Sequence, residues 1–112
     1  MVDVTDAANP QPLGSYTYDA QIYNPTHANA VGTFAGKTLA FEGGEMDNAH
    51  LRVLDVSNPT QPKEIAYANT FRESDPGRTD GLFVGAIGIR VPSDGYVYVV
   101  DMTRGLLIYR EP

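Results

Sequence analysis

The chain writes one turn phrase twice. Asp3-Val4-Thr5-Asp6-Ala7-Ala8-Asn9-Pro10-Gln11-Pro12-Leu13 returns without a gap as Asp55-Val56-Ser57-Asn58-Pro59-Thr60-Gln61-Pro62-Lys63-Glu64-Ile65. An internal repeat on this scale marks units that cannot bury their apolar faces alone and must stack on neighbours. In the second copy the apolar run Leu51-Arg52-Val53-Leu54 stops at Asp55, and Ser57, Asn58, Pro59 and Pro62 follow. Asp and Asn side chains accept from nearby amides, while proline fixes φ and offers no donor, so the phrase ends one strand and reverses the chain. Asp3, Asp6, Pro10, Asp55, Asn58, Pro59 and Pro62 are therefore read as turn residues, and Asp101 and Gly105 as their like in the last hairpin.

Hairpins recur around this phrase. The reading places four strands in one unit, at 28–34, 38–42, 50–56 and 63–69, and three in the next, at 82–90, 96–101 and 105–110. Residues 1–4 read as the tail of a third strand and 11–18 as a fourth. Superposing 38–41 on 96–99 and 51–54 on 106–109 gives one strand order for both units. Val97 and Val99 share one face of their strand while Tyr96, Tyr98 and Val100 share the other, so both faces are expected to be covered. Helical periodicity is absent, and 11 glycines with 8 prolines would break most helices. The predicted fold is all-β: antiparallel four-stranded blades forming a partial β-propeller of about two blades. Its expected division is an upstream remnant at 1–18, a complete blade at 19–70, and an inter-blade loop with a three-stranded blade at 71–112.

The phrase Asp55-Val56-Ser57-Asn58-Pro59 after an apolar strand, together with Tyr96-Val97-Tyr98-Val99-Val100-Asp101 and Gly105-Leu106-Leu107-Ile108, resembles the LVIVD-repeat β-propellers of bacterial and archaeal surface proteins. Ala7 stands where the second copy has Pro59, which softens one turn without moving the frame. The resemblance implies a surface or envelope scaffold, extracellular or in the cell envelope, and carries over no catalytic residue. Closed propellers use roughly 4 to 8 blades, so the chain reads as a carboxy-terminal fragment whose first partners are the remaining blades of a longer parent.

Composition removes several classes. A net charge of -6 with scattered lysine and arginine argues against a nucleic-acid groove. Without cysteine there are no disulfides and no thiolate zinc sites. No apolar run approaches the roughly 20 residues of a membrane span. Phosphate-binding glycine loops, serine nucleophile elbows and His-Glu-x-x-His zinc motifs are all missing.

What remains is thin. His27 stands at the entry of a first strand, where propellers collect ligands, though an imidazole bonded to a neighbouring loop is the plainer reading. His50 reads as a surface or inter-strand residue. Glu42, Glu45 and Asp47 crowd one hairpin loop, an oxygen-rich setting that suits calcium, although solvated charge is the ordinary outcome and the spacing is not that of an EF-hand. Arg72 and Arg78 lie in a long polar connection where propellers carry binding function, or where a solvated linker simply runs. No other cofactor is implied. The expected function is a non-enzymatic scaffold binding a protein or carbohydrate through its loops; the rival is a metal-assisted, hydrolase-like propeller using His27 with channel-facing carboxylates such as Asp101.

Overall fold

Alternating apolar residues build strands. The computed structural model describes residues 1–17, 26–44, 50–70 and 85–110. Among them are nine strands and no helix: β1 (Val2–Asp3), β2 (Gln11–Pro12), β3 (Thr26–Phe34), β4 (Lys37–Gly44), β5 (His50–Asp55), β6 (Lys63–Asn69), β7 (Ala86–Arg90), β8 (Tyr96–Asp101) and β9 (Gly105–Arg110). They form a two-stranded sheet β1-β2, a four-stranded sheet β3-β4-β5-β6 and a three-stranded sheet β7-β8-β9. Every pairing is antiparallel.

The repeat therefore predicts the strand order. Leu51 and Val53 share a face and pair with Gly43 and Phe41 on one side and with Ala68 and Ala66 on the other. One expected strand is shorter than read. Of the expected 11–18 strand only Gln11–Pro12 joins a ladder among the described residues, with the Leu13 amide bonded to the Met1 carbonyl at 3.1 Å. Residues 82–84 of the expected first strand lie outside the described residues.

The four- and three-stranded sheets share one core. Phe34, Leu39, Phe41, Leu51 and Val53 of the first meet Ala86, Val97 and Val99 of the second, with Ile89, Leu107 and Tyr109 packed around them. Phe34 and Phe41 meet edge to face, 5.5 Å between ring centres. Small residues bring the sheets together. Ala28, Ala30 and Gly32 lie opposite Gly43, Phe41 and Leu39, and a Cβ built on Gly43 would stand 2.7 Å from the Ala86 carbonyl oxygen.

Which faces meet is set by the backbone. Along a strand, peptide groups point alternately to the two neighbours while side chains point alternately to the two faces, so the one fixes the other. Thr38 accepts the Val56 amide at 2.9 Å, toward β5, so Leu39 and Phe41 bond toward β3. The tight turn Ala35-Gly36, with φ of 48° and 79°, agrees: it closes the Phe34–Lys37 pair. In the other sheet the Met102 amide bonds the Gly85 carbonyl at 3.1 Å, on the β7 side, so Val97 and Val99 bond toward β9. Leu39 and Phe41 thus occupy one face of their sheet, and Val97 and Val99 the opposite face of theirs. The sheets stack head to tail, as blades do.

This corrects two expectations. Superposing 38–41 on 96–99 matches residues on opposite faces, whereas 51–54 on 106–109 keeps the face, since Leu106 and Ile108 pair with Val100 and Tyr98. Coverage is also one-sided in the three-stranded sheet. Val97 is 1% exposed, while on the reverse face Val100 is 46%, Leu106 59% and Ile108 56% exposed.

Gly43→Ala would push a methyl into the Ala86 backbone, and the overpacking is expected to cost ~1–3 kcal/mol. Urea unfolding measures it, and an unchanged midpoint would contradict the close approach of the two sheets.

Candidate functional site

The repeated phrase folds into repeated hydrogen bonds. Asp3 Oδ1 accepts the Thr5 amide at 2.9 Å, and Asp55 Oδ1 accepts the Ser57 amide at 3.1 Å. Asp6 Oδ1 takes the Ala8 amide and Asn58 Oδ1 the Thr60 amide, each at 3.1 Å. Asn9 then bonds back to the Asp6 carbonyl at 3.0 Å, and Gln61 to the Asn58 carbonyl at 3.1 Å. Each copy is a pair of Asx-turns followed by a β-turn. Pro10 and Pro62 stand just before β2 and β6, where a missing donor is harmless, and Pro59 lies within the turn.

A third instance sits elsewhere. Asp101 ends β8, is 2% exposed, and its Oδ1 accepts the Thr103 amide, the Thr103 hydroxyl and the Arg104 amide at 2.8–2.9 Å. Its Oδ2 is buried without a hydrogen-bond partner. Gly105 completes that turn with φ of 75°, a left-handed value natural to glycine. The signal shared by all three places is Asp-x-Ser/Thr, at Asp3-Val4-Thr5, Asp55-Val56-Ser57 and Asp101-Met102-Thr103. The sequence reading placed these aspartates at strand ends and counted Ser57 among the turn formers, but did not single out Thr5 or Thr103.

Asp55 is held twice. Its Oδ2 lies 3.0 Å from Lys37 Nζ, and this contact with the Ser57 bonds lowers its pKa from 3.8 to about 2. The Thr5 hydroxyl and amide likewise lower Asp3. On the outer face of the four-stranded sheet, Arg52 Nη1 reaches Glu64 Oε2 at 2.6 Å and the Tyr16 hydroxyl donates to the same oxygen. Burial works to raise Glu64, but the Tyr16 and Arg52 contacts outweigh it and hold the carboxyl low. For Tyr16 burial and Glu64 act together and raise the phenol. This cluster ties the amino-terminal segment to the sheet beside a close fit at Gly14, where a Cβ would stand 2.5 Å from the Pro59 carbonyl oxygen.

The other candidates are dispersed. His27 is exposed at the irregularity between Thr26 and Ala28 that opens β3. Glu42 is not a loop residue: it lies within β4, half-buried, opposite Asn29 and Arg52. Its supposed companions Glu45 and Asp47, and also Arg72 and Arg78, lie outside the described residues. Among the described residues no three His, Cys, Asp or Glu side chains gather into a metal-binding group. His50 pairs with Asn69 at the start of β5 and stacks on Tyr67, 5.7 Å between ring centres.

Two stretches match a known family. The LVIVD-repeat model fits residues 46–70, spanning β5 and β6, and 87–109, spanning most of β7 to β9. These two stretches, 48 of the 112 residues, are similar to the LVIVD repeat, and the all-β sheets that carry them are of the propeller-like kind. No curated protein and no solved structure matches it.

Because the folded pKa of Asp55 is lowered, its contribution is present above the unfolded value and lost as pH falls through the folded one. Stability should decline between pH 3.8 and about 2. Asp55→Asn should flatten that decline, and added salt should weaken the Lys37 part, since Lys37 is exposed and Asp55 only half-buried. Thermal unfolding across that window reads both effects; identical slopes for the two proteins would contradict the assignment.

Proposed function

We propose that this chain is a non-enzymatic LVIVD-repeat scaffold of an extracellular or cell-envelope protein, presenting its loops to a protein or carbohydrate partner. The observation that carries this reading is the fate of its recurring aspartates. Asp3, Asp55 and Asp101 each give Oδ1 to amides of their own turn, so the most regular polar feature of the chain serves chain reversal. Chemistry built on Asp101 would have to compete with three such bonds.

Its nearest partners are further sheets of the same repeat in a longer chain. The exposed face bearing Tyr98, Val100, Leu106 and Ile108 is the counterpart of the face that, in the four-stranded sheet, is buried by its neighbour. A scaffold of this kind grows by repeating one contact. Calcium is the ion this reading would admit on Glu42, Glu45 and Asp47, of which Glu42 alone is among the described residues.

Two measurements test the reading. Ester and phosphate-ester hydrolysis should be indistinguishable between the protein and His27→Ala, and binding to arrayed glycans and envelope proteins should survive that substitution. Turnover that His27→Ala abolishes would contradict the proposal. Separately, Asp101→Ala should cost ~1–3 kcal/mol by stranding the buried turn donors, and Asp101→Asn should recover most of it.

A further inference from the structure

We infer that the Asp94-Gly95 peptide modifies itself: the Gly95 nitrogen closes on Asp94 Cγ to form a succinimide, Tyr98 gives a proton to the departing oxygen, and water reopens the ring to isoaspartate. The site lies within the β7–β8 hairpin and is independent of the scaffold role.

Three observations meet here. First, five aspartates among the described residues accept the amide two residues on: Asp3 from Thr5, Asp6 from Ala8, Asp55 from Ser57, Asp94 from Tyr96 and Asp101 from Thr103. In such a turn the carboxyl folds back over the peptide that follows it. Val4, Ala7, Val56 and Met102 crowd that peptide with a side chain, whereas Gly95 leaves it bare. A Cβ built on Gly95 would meet nothing within 4 Å, so the approach is open. Asp101 is 2% exposed and lacks that room, while Asp94 is exposed.

Second, the fold keeps glycine at this place. Residues 91–95 reverse the chain between β7 and β8, with φ of 65° at Ser93 and 91° at Gly95. The second value suits glycine and strains any other residue. The reactive pair and the turn geometry are therefore the same feature.

Third, the two carboxyl oxygens meet unlike donors. Asp94 Oδ1 accepts the Tyr96 amide at 3.1 Å, and Oδ2 accepts the Tyr98 hydroxyl at 2.8 Å. As the Gly95 nitrogen attacks Cγ, negative charge gathers on Oδ1, where the Tyr96 amide meets it. The N–Cγ bond forms and the Cγ–Oδ2 bond breaks; Oδ2 leaves as water with the Gly95 amide proton and the Tyr98 phenol proton, and solvent reprotonates Tyr98. No oxidant or second reactant is needed. The hydrogen bond to Asp94 raises the Tyr98 pKa above its ordinary value, so the phenol keeps its proton at neutral pH. Arg90, opposite Tyr98 in register, and Tyr96 are the other ionisable side chains beside it. Water adding at the main-chain carbonyl of the ring leaves isoaspartate, which puts one more methylene into the backbone between β7 and β8.

The full chain is incubated in neutral buffer and digested, and isoaspartate is read by electron-transfer fragmentation and by resistance to cleavage at aspartate. It should accumulate at position 94 and not at 3, 6, 55 or 101. Tyr98→Phe should slow it about tenfold or more, the size of one hydrogen bond to a charged group, while Tyr96→Phe, which keeps the amide, should leave the rate unchanged. The Tyr98→Phe rate should also fall more steeply with rising pH than the parent rate, because the variant draws its proton from solvent alone. The chain's other Asp-Gly pair, Asp80-Gly81, lies outside the described residues, and its rate should not respond to Tyr98→Phe. No isoaspartate at 94, or no more there than at the other four aspartates, would overturn the inference. An equal or faster rate in Tyr98→Phe, or an equal slowing at Asp80, would overturn the part given to Tyr98.

Discussion

Everything in this fold follows from how closely the backbones of its two larger sheets approach each other. Gly43 lies against Ala86, and Gly32 brings Val91 within 2.8 Å of where its Cβ would be. That contact is made by unlike faces, the Leu39–Phe41 side of one sheet on the Val97–Val99 side of the next. An unlike-face contact does not close on itself, as a two-fold pair would. It leaves an apolar face with Val100, Leu106 and Ile108 exposed at one end, and at the other a face occupied in part by Tyr16 and the amino-terminal turn. The molecule's surface chemistry is thus a consequence of its packing rule.

The turns serve the same rule. Each Asx-turn satisfies local amides with a side-chain carboxylate, so strands can end abruptly and return without leaving buried donors unpaired. Abrupt ends keep the sheets short and narrow enough to stack. In all three places, at Asp3, Asp55 and Asp101, it is the Oδ1 oxygen that the turn engages.

Strand order was legible because it depends on apolar runs between turn formers, and the Asp55-Val56-Ser57-Asn58-Pro59 phrase marks those boundaries clearly. Face assignment was not. It depends on loop length as well as residue identity: a two-residue turn, Ala35-Gly36, closes β3 on β4, while 91–95 separate β7 from β8, and the odd difference helps shift the frame by one. Glu42 was read as a loop residue because Gly43 and Gly44 follow it. Both in fact continue β4, and Gly43 is there for the close approach of Ala86. The site was barely legible, since the polar groups that matter, Asp101 and the Arg52–Glu64–Tyr16 cluster, are defined by burial and by contacts across strands.

The head-to-tail stacking of unlike faces is tested most directly by methyl and aromatic proximity in solution. Nuclear Overhauser contacts should connect the Phe41 ring with the methyls of Val97 and Val99 and leave Val100, Leu106 and Ile108 without contacts to Phe41, Leu51 or Val53. Contacts from Phe41 to Val100 or Leu106 would mean that like faces meet, and would contradict the account.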